Sequence, residues 1–351
     1  MKQQLGLIQL AQEIQRQSEV KQDYLVNTRN MEVRFEDNEA HLALDEVAEE
    51  FVLADTAHKQ IAGRLGIPTR YYDRLRSDHP DLLETQVNAL LHREPEQRMV
   101  RTLDGEARAI LSDRFRRLDH DQLIETVLPV IAEQELDLEQ SSFALTSERL
   151  YMKLVLPRIE QEVREGDLVQ SGIVVSNSEI GLGALSVVPM VFRLVCTNGM
   201  VAPESISRVK KQHRGARHDI LGELLRQETL DAHDRAFWME IADLTDATLD
   251  PQHFELLVER MRLSTERQLE GDPVKAIEVM RKTFQLTESE SEGILAHLVR
   301  GGELTQYGLL NAVTRHAQDL ESYSRSTDLE EIGGKILEMP DSAWRRIARA
   351  A

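Results

Sequence analysis

The stretch VVSNSEIGLGALSVVPMVFRLVCTNGM, Val174–Met200, decides the fold because a glycine-rich connection in it joins two strand patterns. Apolar residues occupy both alternating sets of its second half, which predicts a strand that is covered on both faces. Pro189 cannot donate a hydrogen bond to a ladder, so the strand is an edge strand or carries a bulge there. Asn198 and Gly199 predict a turn directly after the strand.

Cys196 is the only cysteine of the chain. A reactive thiol needs a helix N-terminus, a cation or a paired histidine to lower its pKa, and no local nucleophile motif surrounds this residue. A zinc site with His213 and His218 is the alternative, but zinc sites usually bring more thiolates at close spacing. We therefore predict a structural Cys196, no cofactor and no metal. A single cysteine also fits a reducing cytoplasm.

The amino-acid composition limits the classes of protein to which this chain can belong. The chain has 351 residues, 41% of them hydrophobic, and a formal net charge of −19. These values are typical of a globular protein and argue against a general nucleic-acid coating protein, which would be basic. No apolar run approaches the length that crosses a bilayer, and the first residues lack a signal peptide's apolar segment. We expect a cytoplasmic protein with no membrane association.

Strand signals dominate the first part of the chain and helical signals the rest. Residues 31–44 and the Asp104-Gly105 dipeptide predict two hairpins, and a capped amphipathic helix at residues 119–134 precedes three more strand runs. After about residue 219 only helical runs follow, punctuated by glycines such as Gly333-Gly334. The predicted class is α+β, with an antiparallel meandering sheet, packed helices and an α-helical C-terminal domain. The predicted divisions are a helical arm at 1–30, a core domain at 31–218 and a helical domain at 219–351.

A basic strip interrupts this acidic chain. Ser205–His218, SISRVKKQHRGARH, has five Lys or Arg residues, two histidines and no acid, whereas 26 acidic and 15 basic residues follow it. Such a strip can contact a phosphate backbone. Arginines around Phe115 resemble the cation and aromatic pairing of single-strand binders, with a solvated connection as the alternative. Arg193, in the doubly apolar strand, either pairs with a carboxylate or lines the same groove. The candidate nucleic-acid-binding residues are Arg114, Arg116, Arg117, Arg193, Arg208, Lys210, Lys211, Arg214 and Arg217.

Residues 53–75 predict two helices separated by Gly66 and Pro68, the arrangement of a helix-turn-helix. The second helix would then offer side chains to DNA, with a solvated helix face as the alternative. Those side chains are Arg70, Tyr71, Tyr72, Asp73 and Arg74.

The connection around Gly181-Leu182-Gly183 lacks the third glycine of a dinucleotide-binding motif and lies between strands, so the glycines predict a sharp turn. We expect Glu179 in this connection to be an exposed turn carboxylate, with an acid–base role as the alternative.

Three blocks of the chain together resemble one known family. They are ILSDRFRRLDHDQL, then VVSNSEIGLGALSVVPMVFRLVCTNGMV with HRGARH behind it, and LTQYGLLNAVTRHAQDLESYSRSTDLEEIGGKIL. In this order they resemble the phage- and plasmid-like family catalogued as domain of unknown function nine-three-two, over roughly residues 45–340. The resemblance implies a protein of mobile elements. It implies no catalytic residue, because no activity is established for the family.

Three functions follow from these observations. The first is a non-enzymatic nucleic-acid-associated factor, a single-strand binder or recombination accessory, with single-stranded or duplex DNA as its partner. The second is an assembly factor that binds a protein partner, or a second copy of the chain, through residues 219–351. The third is an enzyme with a carboxylate and histidine site, for which the spacing gives no recognisable signature. Its residues would be Glu179, His213, His218 and Asp219.

Overall fold

The computed structural model describes residues 6–37, 39–133, 136–194, 198–201, 209–211 and 227–350. Two β-sheets and their helices give an α+β architecture, and the C-terminal region is helical, as predicted. Within the described ranges, no helix combines the length and the apolar character that crossing a membrane requires.

The first part of the chain builds one sheet and its helices. The elements are α1 (Leu7–Val20), β1 (Gln22–Asn27), β2 (Met31–Glu36), β3 (Glu39–Leu44), β4 (Glu49–Leu53), α2 (Asp55–Arg64), α3 (Thr69–Asp78), α4 (Pro80–Arg93), β5 (Gln97–Leu103), β6 (Glu106–Ser112) and α5 (His120–Ala132). The strand order is β1-β5-β6-β4-β3-β2, and the β4–β6 pair is parallel. Helices α2 to α4 bury Ile61, Tyr72 and Val87 in one core with Leu42 and Val100 of the sheet.

Both predicted hairpins are confirmed. Asp104 and Gly105 have φ values of 51° and 83°, as a two-residue hairpin turn requires, and β2 and β3 pair from Glu36 and Glu39 outwards. The predicted N-terminal arm contains a helix and also a strand, because β1 pairs with β5. Leu10 and Ile14 of α1 are buried with residues of α5, so this helix is packed and not detached.

The rest of the chain builds the second sheet and the C-terminal helices. The elements are β7 (Asp137–Leu145), β8 (Leu150–Arg164), β9 (Asp167–Asn177), β10 (Leu185–Arg193), β11 (Asn198–Val201), β12 (Val209–Lys211), α6 (Gln227–Thr248), α7 (Pro251–Glu266), α8 (Pro273–Phe284), α9 (Glu288–Gly301), α10 (Gln306–Asp319), α11 (Tyr323–Leu337) and α12 (Asp341–Ala348). Strands β7 to β11 form the predicted antiparallel meander, and β12 pairs with β10 alongside β11.

Strand β10 is covered on both faces, as its sequence predicts. Leu185 and Val187 belong to the cluster that includes α1, α5 and α6, whereas Val188 and Met190 belong to another. On the outer edge, β12 pairs up to Val187 and β11 pairs from Met190, so among the described residues the ladder is interrupted at Pro189. The interruption agrees with the missing N–H group of proline.

Two predictions for glycines are wrong. Asn198 and Gly199 do not form a turn; they begin β11, and Gly199 pairs with Phe192. Gly333-Gly334 does not interrupt the helical runs but lies inside α11. A Cβ atom on Gly333 would lie 2.6 Å from Thr314 Cγ2, so this glycine allows α10 and α11 to pack closely.

The C-terminal helices and the second sheet share one apolar core. Val169 and Val191 of the sheet are buried in the same cluster as Leu257, Tyr307 and Leu329 of the helices. A salt bridge of 2.6 Å also joins the buried side chains of Lys153 on β8 and Glu330 on α11. The second sheet and the C-terminal helices are therefore packed on each other, whereas the division predicted at residue 219 lies outside the described residues and stays a prediction.

Candidate functional site

A buried ionic network lies where the connection after β9 meets the first sheet. It combines three cations with four carboxylates: Lys21, Arg101, Arg108, Asp23, Asp119, Asp121 and Glu179. These residues come from the end of α1, from β1, β5 and β6, from the start of α5, and from the connection between β9 and β10. The network therefore joins the two sheets.

Glu179 is the centre of this network and is only 3% exposed. Its Oε1 accepts a hydrogen bond from the His120 backbone N–H at 2.8 Å and lies 3.3 Å from Lys21 Nζ. Its Oε2 lies 3.4 Å from an Arg108 nitrogen, and Arg101 donates to the Glu179 carbonyl oxygen at 2.9 Å. The prediction of an exposed turn carboxylate is wrong, because cations that are distant in the sequence compensate its charge.

The electrostatics of the network hold Glu179 ionised. Burial opposes the charged form, but Lys21, Arg101 and the hydrogen bond from His120 outweigh it, so the pKa of Glu179 lies well below its ordinary range. Burial lowers the pKa of His120 to about 4, and the Asn177 amide faces its Nδ1 at 3.2 Å. An acid–base catalyst needs a pKa near the working pH. The geometry therefore favours a structural role for Glu179, in which the ionic network holds the two sheets together.

The arginines around Phe115 are partly committed to contacts within the chain. An Arg116 nitrogen lies 2.7 Å from Asp234 Oδ1, and its guanidinium lies 4.1 Å from the centre of the Phe237 ring on α6. Arg117 lies 3.4 Å from an Asp23 oxygen, whereas Arg114 is exposed. Phe115 is half-buried and packs against the cluster that contains Ile180 and Leu111, which limits its use as a stacking surface.

Arg193 forms a buried ion pair, the first of its two predicted alternatives. Two of its guanidinium nitrogens donate to the two Asp167 oxygens at 2.6 and 2.7 Å, and the Tyr307 hydroxyl donates to Asp167 at 3.0 Å. At about 3.3 Å per strand residue, Arg193 lies on the order of 26 Å from Leu185 at the other end of β10. It is therefore not brought together with Lys210 and Lys211, the residues of the basic strip that pair with Ser186 and Leu185.

The basic strip is described only at its centre. Lys210 and Lys211 belong to β12 and pair with Ser186 and Leu185 of β10. The remaining predicted residues lie outside the described ranges and stay predictions: Cys196, Arg208, His213, Arg214, Arg217, His218 and Asp219.

The predicted pair of helices around Gly66 is confirmed as α2 and α3, and Gly66 has a φ of 67°. Tyr72 is 1% exposed and its hydroxyl contacts His58 Nδ1 at 2.8 Å, which withdraws it from the candidate DNA-contacting residues. The other four candidates of this helix are exposed: Arg70, Tyr71, Asp73 and Arg74.

A cleft of about 850 Å³ opens between α1, the start of α2 and the β5–β6 turn. Carboxylates dominate its charged lining, which consists of Glu13, Asp55, Asp104, Glu106, Glu148, Lys59 and Arg108. An excess of negative charge repels a polyanion, so the cleft does not suit a nucleic acid.

Two groups of side chains in the described ranges have the chemistry of metal ligands. Lys21 Nζ already lies 3.0 to 3.3 Å from all three carboxylates of the first group, Asp119, Asp121 and Glu179. The second group consists of His297, His316 and Asp319. Sequence reasoning missed this second group, although a histidine and an aspartate three residues apart on one helix face were a usable signal.

Comparison with known proteins gives one match. The model of the family described as Domain of unknown function (DUF932) matches residues 108–333, more than half of the chain. No curated protein and no solved structure matches. The matched range contains Glu179, the first two blocks on which the resemblance rested, and residues 304–333 of the third block. The chain therefore belongs to the DUF932 family.

Proposed function

We propose that this protein is a non-enzymatic nucleic-acid-associated factor of a mobile element, acting as a single-strand binder or recombination accessory. The observation that carries the proposal is the basic strip at residues 205–218, whose central residues form β12 on the outer edge of the second sheet. Lys210 and Lys211 belong to this strand, and a sequence segment that is rich in cations and contains no acid is the electrostatic footprint of a phosphate-binding surface.

A second basic segment approaches the same end of β10. Arg116 contacts Phe237 on α6, and Phe237 is buried in one cluster with Leu185 and Val187, the residues with which β12 pairs. Arg114 and Arg117 flank Arg116 and are exposed. Phosphate contacts by this segment would replace the contacts of Arg116 with Asp234 and of Arg117 with Asp23, and Arg193 belongs to the opposite end of the strand.

Lysines on an edge strand also have a simpler use, because they discourage pairing with other chains. The two roles differ in their dependence on salt. Phosphate contacts release counterions, so the logarithm of the affinity falls with the logarithm of the salt concentration by about 0.7 per contact on single strands and about 0.9 on duplexes. Blunting of a sheet edge produces no such dependence.

The test is fluorescence anisotropy with a labelled 20-nucleotide single strand and the matching duplex, between 50 and 200 mM salt. Lys210→Ala, Lys211→Ala and Arg214→Ala are combined in one variant. If each side chain contacts one phosphate, the variant's salt slope on single strands is smaller by about 2. A control variant with the same change in charge combines substitutions of three exposed α8 cations by Ala: Lys275, Arg281 and Lys282. Equal binding by both variants removes the strip from the proposal, and no binding by the wild type at 50 mM salt ends it.

Assembly through the helical region is a second candidate function. Leu256 and Leu263 on α7 are 57% and 54% exposed and lie seven residues apart, so they share one helix face. Exposed apolar pairs of this kind suit a helix-docking partner or a second copy of the chain. Light scattering of the wild type and of a Leu256→Ser, Leu263→Ser variant separates the cases, because only assembly through this face predicts a smaller particle for the variant.

A further inference from the structure

We propose that His297, His316 and Asp319 form a binding site for one divalent transition metal ion of the zinc class. His316 and Asp319 lie three residues apart on α10, and His297 faces them from α9. One potential ligand atom from each side chain lies within 4.8 Å of those from the other two. Imidazole nitrogen and carboxylate oxygen are the ligands that Zn²⁺ takes beside thiolate.

His316 is the observation that separates this group from an ordinary ion pair. The residue is 9% exposed, and neither of its ring nitrogens has a hydrogen-bond partner among the described residues. Its Nδ1 lies 3.6 Å from Asp319 Oδ2, which is too long for a hydrogen bond. A buried imidazole without partners loses the hydrogen bonds that it makes in water, and a metal ion would restore a bond to one nitrogen.

The backbone of α9 is shaped to admit this ring. A Cβ atom on Gly293 would lie 2.3 Å from Cε1 and 2.4 Å from Nδ1 of His316. Gly293 therefore lets the His316 ring approach α9 one turn before His297. Any larger residue at this position would push the ring out of the group.

The distances agree with a tetrahedral site after small movements. Zinc bonds of about 2.1 Å place tetrahedral ligand atoms about 3.4 Å apart. His297 Nε2 lies 2.6 Å from Asp319 Oδ2, and His316 Nδ1 lies 3.6 Å from the same oxygen. The Asp319 side chain is 49% exposed, so the fourth position would open towards solvent. Three protein ligands with an open fourth position are the arrangement of zinc sites that bind water or a further ligand.

The test uses the untagged full-length protein, with metal content measured by mass spectrometry and Co²⁺ binding by its visible absorption. We expect one metal ion per chain. Asp319→Asn changes an exposed side chain and should weaken Zn²⁺ binding at least about 100-fold in calorimetry, because even partners of metal ligands contribute 10- to 100-fold. Gly293→Ala should weaken binding while all three ligands remain, and the exposed His233→Ala is the control.

Asp319→Asn leaves the buried core intact, so its folding can be checked by circular dichroism without metal. The proposal is overturned if the folded wild type binds neither Zn²⁺ nor Co²⁺ at millimolar concentration. It is also overturned if Asp319→Asn binds Zn²⁺ as tightly as the wild type does.

Discussion

Replacement of Glu179 by glutamine tests whether the ionic network holds the two sheets together. The glutamine side chain would keep the volume and an oxygen that can accept the His120 N–H bond of 2.8 Å. It would remove the negative charge that faces Lys21 and Arg108 at 3.3 and 3.4 Å. The change therefore isolates the charge of the side chain from its shape.

The expected loss of unfolding free energy depends on the partners that Lys21 and Arg108 retain in the variant. Removal of one partner from a buried ion pair costs about 3 to 5 kcal/mol, because the other charge stays buried without compensation. Lys21 retains Asp119 and Asp121, whereas Arg108 keeps a hydrogen bond to the Ser147 carbonyl oxygen. The lower end applies, and we expect the free energy of unfolding to fall by about 3 kcal/mol.

Urea unfolding at pH 7, followed by circular dichroism, measures this change. Glu125→Gln on the exposed face of α5 removes the same charge and should change the free energy of unfolding by less than about 0.5 kcal/mol. Addition of Arg108→Met to Glu179→Gln should recover part of the loss, since it removes the uncompensated cation. If the free energy of unfolding of Glu179→Gln lies within about 0.5 kcal/mol of that of the wild type, the network does not hold the two sheets together.

Three further predictions concern stability. The pKa of His120 is about 4 in the folded chain and 6.5 in the unfolded chain, so the unfolded chain binds a proton at this histidine first as the pH falls. The free energy of unfolding should therefore decrease by up to about 3 kcal/mol from pH 6.5 to 4. His120→Asn should make the midpoint of urea unfolding less dependent on pH. Lys153→Met should lower the unfolding free energy by about 3 kcal/mol, and adding Glu330→Leu should restore it; equal loss in both variants would contradict the buried pair. Gly172→Ala would bring a Cβ atom to 2.5 Å from a carbonyl oxygen of β8 and should lower the melting temperature, whereas Gly63→Ala, in open space on α2, should raise it.

Local turn chemistry explains why parts of the fold are predictable. Asp104-Gly105 and Gly66 adopt positive φ values that few residues accept. The hairpin turn and the end of the helix at these residues can therefore be predicted from the local sequence alone. The apolar pattern of β10 predicts its burial on both faces for the same reason: the information lies within nine residues.

The missed features depend on partners far away in the chain. Strand β1 has a mostly polar sequence, QDYLVN, and exists because β5 pairs with it from seventy-odd residues away. Glu179 is buried because Lys21, Arg101 and Arg108 meet it, and no local pattern announces such compensation. Arg193 was predictable only as a choice between two alternatives, and its partner Asp167 decided between them.

The candidate metal site could be predicted from the sequence only in part, because it also depends on residues that are distant in the chain. His316 and Asp319 are recognisable together from helical spacing, but His297 joins them only through the packing of α9 on α10. Gly293 carries no signal at all until the His316 ring is seen against it.

The family match begins at residue 108, inside β6, and ends at residue 333, inside α11. A fragment cut at these limits would retain Glu179 but lack Lys21, Asp23 and Arg101. The part of β6 that remains would lose both of its pairing partners, β4 and β5. It would also lose Trp344, which is buried in the shared core. We expect such a fragment to aggregate on expression, so the smallest piece worth producing for biochemistry spans both sheets and α12.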